Sequence, residues 1–117
     1  MLNLEIVSPT EVDNATYIFQ RDGFVAIENA LTDEQFETIQ NGAARVVQEQ
    51  TEAIALDKAN RGFARYSFGS QVHHSEWAML CDLPTILPII EKIFNSNKFI
   101  SSGGGGDYSL PGAKIQH

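Results

Sequence analysis

The stretch that most constrains this chain is Gly103 to His117, which reads Gly-Gly-Gly-Gly-Asp-Tyr-Ser-Leu-Pro-Gly-Ala-Lys-Ile-Gln-His. Glycines run into an apolar–polar alternation, and Pro111-Gly112 then offers the two corners of a tight turn. Proline fixes φ at the first corner, and glycine accepts φ > 0 at the second. A second alternation follows, with Lys114 and Gln116 on one face and Ala113 and Ile115 on the other. The expectation is strand, turn, strand. The written sequence stops at His117 in mid-strand. The stretch therefore reads as the entrance to a site whose remainder lies beyond it, and the chain as part of a longer protein.

Size and charge bound the partners. A chain of 117 residues holds one domain at most, and 43% hydrophobic against 20% charged residues is the balance of a globular protein. Fifteen acidic residues against 8 basic ones give a net charge of -7. That excess disfavours a nucleic-acid partner, which needs clustered Lys and Arg, and an anionic membrane surface as well. No signal peptide or membrane span is legible; the densest apolar run, Ile86 to Phe94, is broken by Pro88, Glu91 and Lys92. A single cysteine, Cys81, excludes an internal disulfide and a multi-thiolate zinc site. It fits a reducing, cytoplasmic setting and reads as a buried structural residue.

Helix signals are clear in the first half. Ser8-Pro9-Thr10-Glu11 combines a cap, a first-turn proline and a capping-box glutamate, and Val12, Ala15 and Phe19 recur at helical spacing. Gly23 should stop that helix in the left-handed conformation, before a short strand over Phe24 to Ile27. Thr32 with Gln35 opens a second helix, whose stripe is Phe36, Ile39, Ala43, Val46, Val47 and Ile54 and whose staple is Leu31 on Phe36. The plainer reading of both helices is scaffold on one side of a sheet.

Phe63 to Phe68 alternates as a strand ended by Gly69-Ser70, with Arg65 and Ser67 on one face and Tyr66 and Phe68 on the other. Ser75 should cap a short helix through Leu80, with Trp77 and Met79 in the core. Thr85 starts a further helix that tolerates Pro88 in its first turn and should be largely buried. Asn95-Ser96-Asn97 is a turn, and Lys98 to Ser101 a strand candidate.

Few residues carry chemistry. The glycine run is no phosphate loop, because Asp107-Tyr108 stand where Lys-Ser/Thr would be needed; it reads as a mobile turn or bulge between strands. His73 and His74 are adjacent and so point apart, which suits a loop better than a shared metal. Arg65 is either an anion contact or a salt bridge at the rim, the second being the plainer reading.

The order of elements resembles the N-terminal half of the phytanoyl-CoA dioxygenase family. The residues that carry the likeness are Phe19-x-x-Asp22-Gly23-Phe24-Val25, the Leu31-Thr32 helix start, the Leu87 to Phe94 helix with the strand after it, and Pro111-Gly112-x-x-x-Gln116. The resemblance spans nearly all of 1–117 through short motifs. It implies an α+β fold made of N-terminal helices and the first strands of a double-stranded β-helix, relative of the jelly roll and cupin. It also implies Fe(II) with 2-oxoglutarate as cosubstrate, and hydroxylation of a small organic or acyl substrate. Gln116 corresponds to the glutamine that opens the family's Gln-x-x-His-x-Asp motif and would either support the metal ligands from behind or contact the cosubstrate. The metal ligands would come after His117, unless a register shifted by two made His117 itself a ligand. On a regular strand the histidine two positions after His117 would share the face of His117, so a bulge or strand end must separate Gln116 from the ligands. No catalytic or metal residue is assigned within the chain.

A second class stays open: a small non-catalytic α+β binding or interaction domain, including one that dimerises through a sheet edge. Autonomous, reversible folding would favour it. A marginal, aggregation-prone chain would favour the incomplete β-helix.

Overall fold

The structure, a computed structural model, describes residues 4–115. In chain order the elements are β1 (Ile6–Val7), α1 (Val12–Asp22), β2 (Ala26–Ile27), α2 (Asp33–Ala53), β3 (Arg65–Ser70), α3 (Ser75–Leu80), α4 (Leu87–Phe94) and β4 (Gly105–Ser109), with a short 3-10 turn at Leu56–Lys58. The fold is α+β. The described residues hold a parallel pair, β1 with β2, and an antiparallel pair, β3 with β4, and no closed barrel. Two compact units form, one from the chain up to Glu34 with Asp82–Ile100, the other from Gln35–Cys81 with the chain from Ser101 on.

In the first unit α1 starts later than its sequence signals. Ser8 to Glu11 folds as a turn, with the Glu11 amide donating to the Ser8 carbonyl (3.0 Å) and the Ser8 amide to the Glu11 carboxylate (2.9 Å). The reciprocal side-chain contact of a capping box is thus present, but it closes the turn before the helix. Gly23 ends α1 at φ 80, its amide donating to Phe19 O. Val7, Ala15, Ile18 and Ile89 form the core, with Val12, Val25, Ile27 and Ile93 packed around it. Thr16 is buried too, its hydroxyl satisfied by Val12 O at 2.8 Å. The Thr85 hydroxyl donates to Ala30 O (2.6 Å), tying the approach to α4 to the segment after β2.

Three expectations fail in this unit. Strand pairing is limited to Ala26–Ile27, because β1 offers only Ile6 and Val7 as partners. The α4 helix is not largely buried: Ile89 is 2% exposed but Phe94 is 64% exposed. Lys98 to Ser101 is no strand. Asn95 takes a left-handed cap at φ 49 and turns the chain so that Phe99 stacks on Phe94 at 5.8 Å, which leaves no strand alongside.

The second unit is organised by α2, a helix of 21 residues. Its buried positions are Gly42 and Val46, while Phe36, expected to head the stripe, is 53% exposed. Gly42 is where α3 comes closest: a Cβ there would lie 2.6 Å from Glu76 Cγ and 2.7 Å from Trp77 Cζ3. Arg45 pairs with Glu76 next to this contact. Glu76 titrates below the usual carboxylate range, held first by its own backbone amide and then by Arg45.

Beneath the sheet lies an aromatic column. Tyr66 and Tyr108 are direct cross-strand partners with rings stacked at 5.1 Å and 9°. Phe68 leans on Tyr108 at 6.0 Å and meets Trp77 edge-on at 5.9 Å. Tyr66, 1% exposed, donates its hydroxyl to Ile54 O at 2.9 Å. On β3 the edge away from β4 is occupied. Arg61 N donates to Arg65 O, Arg65 N to Gly62 O, and the Asn60 amide brackets Ser67 N and O at 2.8 and 2.9 Å.

The glycine run is not a turn between strands. Gly105 and Gly106 are strand residues of β4. A Cβ on Gly106 would lie 2.6 Å from the Phe68 ring, and one on Gly105 would strike Gly69 O. Glycine here admits an aromatic ring on one face and close backbone on the other. Pro111-Gly112 is the expected turn, Gly112 at φ 90 and Ala113 N on Leu110 O at 3.1 Å. The second strand does not follow in 113–115.

Alanine at Gly42 should destabilise the protein although alanine favours a helix by about 1 kcal/mol over glycine. Overpacking against the buried Trp77 ring should outweigh that gain, for a net loss of about 1–2 kcal/mol in urea unfolding. A Gly42→Ala protein as stable as wild type would show that α3 yields freely.

Candidate functional site

The face of β3–β4 opposite the aromatic column is polar. Arg65 stands across from Ser109 and Ser67 across from Asp107, so strand alternation gathers two hydroxyls, a carboxylate and a guanidinium on one surface. Register breaks between Ser67 and Ser70, where Gly69 at φ 64 makes a bulge. Beside that bulge lies a shallow groove of about 460 Å³, lined by Ser67, Gly69, Ser70, Ser102 to Gly106 and Asp107. Hydroxyls, peptide groups and one carboxylate line it, a surface suited to hydrogen bonding.

Among the described residues Arg65 does not form the rim salt bridge expected as its plainer role. Its Nε donates to Lys114 O at 2.7 Å, its Nη2 to the same carbonyl, and its Nη1 to Ser109 Oγ at 3.1 Å. The guanidinium therefore grips the backbone just after the turn. On the inner face the Tyr108 hydroxyl donates to Gln50 Oε1 at 3.1 Å, and burial, with Tyr66 beside it, pushes the Tyr108 phenol above its ordinary range.

Gln116, the cosubstrate contact expected from the resemblance, lies outside the described residues, as does His117. His73 and His74 sit in the turn before α3, rings 4.1 Å apart. Cys81 is exposed, not buried; it caps the end of α3, its Sγ 3.3 Å from Ser101 Oγ. Among the described residues no three His, Cys, Asp or Glu side chains converge as a metal site requires. A two-histidine, one-carboxylate iron centre needs such a set, so the described residues by themselves do not make an Fe(II) site. No helix among them is long and apolar enough to cross a membrane.

Comparison with models of known families, with characterised proteins and with solved structures finds no match to this chain.

Sequence reasoning found the polar pair Arg65 and Ser67 but missed Asp107 and Ser109 as their partners. The alternation Asp-Tyr-Ser was visible, yet nothing local tells which strand it joins. Asn60 and Gln50 carried no signal at all, since each acts across the fold.

The raised Tyr108 value fixes a sign. A phenol whose folded pKa exceeds the unfolded one contributes stability that is complete below about pH 10 and is lost as pH rises through the folded value. Urea midpoints measured from about pH 9 to 12 should fall in wild type and fall less steeply in Tyr108→Phe. Identical slopes would remove Tyr108 from the alkaline transition.

Proposed function

We propose that this chain forms the N-terminal helices and first antiparallel strands of an Fe(II)- and 2-oxoglutarate-dependent dioxygenase on a double-stranded β-helix, acting on a small organic or acyl substrate. One observation carries most of the weight. The β3–β4 pair stacks its tyrosines on one face, where the Tyr108 hydroxyl bonds Gln50 of α2, and carries polar residues on the other, and a proline–glycine turn precedes Gln116 in the sequence. A β-helix oxygenase needs such a backed strand pair leading into its ligand-bearing strand. In this reading α2 and α3 are backing, Gln116 contacts the cosubstrate, and the iron ligands come from residues after His117. Iron and cosubstrate, held by residues after His117, would supply oxidative decarboxylation coupled to hydroxylation.

A second reading, a non-catalytic α+β module that binds a polar ligand, rests on the polar groove beside Gly69.

Two measurements separate them. Reading the source gene past codon 117 should give a histidine, one residue, then Asp or Glu within a few positions. The protein encoded in full should form succinate from 2-oxoglutarate with iron, ascorbate and oxygen, and residues 1–117 alone should not. A stop codon directly after His117, or turnover by the 117-residue chain, would overturn the proposal.

A further inference from the structure

The Arg65 contact joins positions 49 residues apart, and both of its acceptors are uncharged. Two N–H groups of one rigid fork meet the Lys114 carbonyl while a third fixes the fork to Ser109 on β4. Residues 113–115 belong to no strand, so this carbonyl is held by a side chain where a ladder would otherwise hold it. The fork itself is well placed: Arg65 sits at the start of β3 with its own amide and carbonyl bonded to Gly62 and Arg61.

We propose that Arg65 is a positioning residue, a latch that holds the segment after the Pro111-Gly112 turn at Lys114 and thereby fixes the backbone two residues before Gln116, the cosubstrate contact of the dioxygenase reading. The latch stands on the geometry alone; its effect on cosubstrate rests on the dioxygenase reading. A lysine cannot replace the fork, because one ammonium cannot bridge Lys114 O and Ser109 Oγ with the same fixed geometry. Loss of the latch would free the segment without removing any group that touches substrate.

Trypsin tests the latch on the chain as it stands, because cleavage after Lys114 requires the very carbonyl that Arg65 grips. Release of Ile115-Gln116-His117, read by intact mass, should be slow in wild type relative to cleavage after the exposed Lys98. It should accelerate by at least about tenfold in Arg65→Gln, as expected for losing charged hydrogen bonds. An unchanged rate overturns the latch. Should Arg65→Gln disrupt the strand pair, seen as loss of the near-ultraviolet tyrosine signal, Arg65→Lys decides. Faster release with that signal intact supports the latch, and wild-type protection overturns it.

The full-length protein tests the positioning role. Arg65→Lys should raise the KM for 2-oxoglutarate by about fivefold or more while kcat stays within about twofold. An unchanged KM overturns that role. A full-length wild type that forms no succinate overturns the dioxygenase reading and the positioning role with it, while the trypsin result still judges the latch.

Discussion

The second unit depends on one contact, the stack of Tyr66 on Tyr108. Two strands far apart in sequence are joined by it, and a two-stranded sheet is marginal unless something covers it. Here the cover is the end of α2 and the residue after it: Gln50 on the helix accepts the Tyr108 hydroxyl, and Ile54 O, just past the last helical residue, accepts that of Tyr66. Each phenol contributes ring area to the core and a satisfied polar tip, so burial carries no orphaned oxygen. Gly106 belongs to the same device. By having no side chain it admits the Phe68 ring, which extends the column to Trp77. The polar face outside follows automatically, since alternation along each strand sends Arg65, Ser67, Asp107 and Ser109 the other way.

Local signals were legible in the sequence wherever backbone chemistry decides them. Gly23 stops α1, Pro88 lies in the first turn of α4, and Pro111-Gly112 turns the chain, each because few residues tolerate those dihedrals. The α+β class was legible for the same reason. What could not be read was anything decided by a distant partner. The alternation of Phe63 to Phe68 marks a strand but not its neighbour. Cys81 and Phe94 look like core residues by type, yet both are exposed, because burial depends on what the chain places over them.

The candidate site shows the same division. Arg65 draws the eye by its charge, whereas in the structure it is a rigid hydrogen-bond fork to backbone, which no pattern near residue 65 announces. Gly105 and Gly106, as part of a glycine run, read as a turn or bulge between strands, because glycine is weak in strands; contacts with Gly69 and Phe68 override that preference. The likeness to the oxygenase family rests on short motifs of the local, legible kind, and the iron ligands it implies are not among the described residues.

The loop before β3 has a further consequence. With Asn60, Arg61 and Gly62 bonded to Ser67 and Arg65, the outer margin of β3 offers no free peptide groups at those two positions. Along Arg65 to Ser67 a third strand therefore finds that margin taken, and one pairing at this level, whether from later in the same chain or from another molecule, would have to add beside β4.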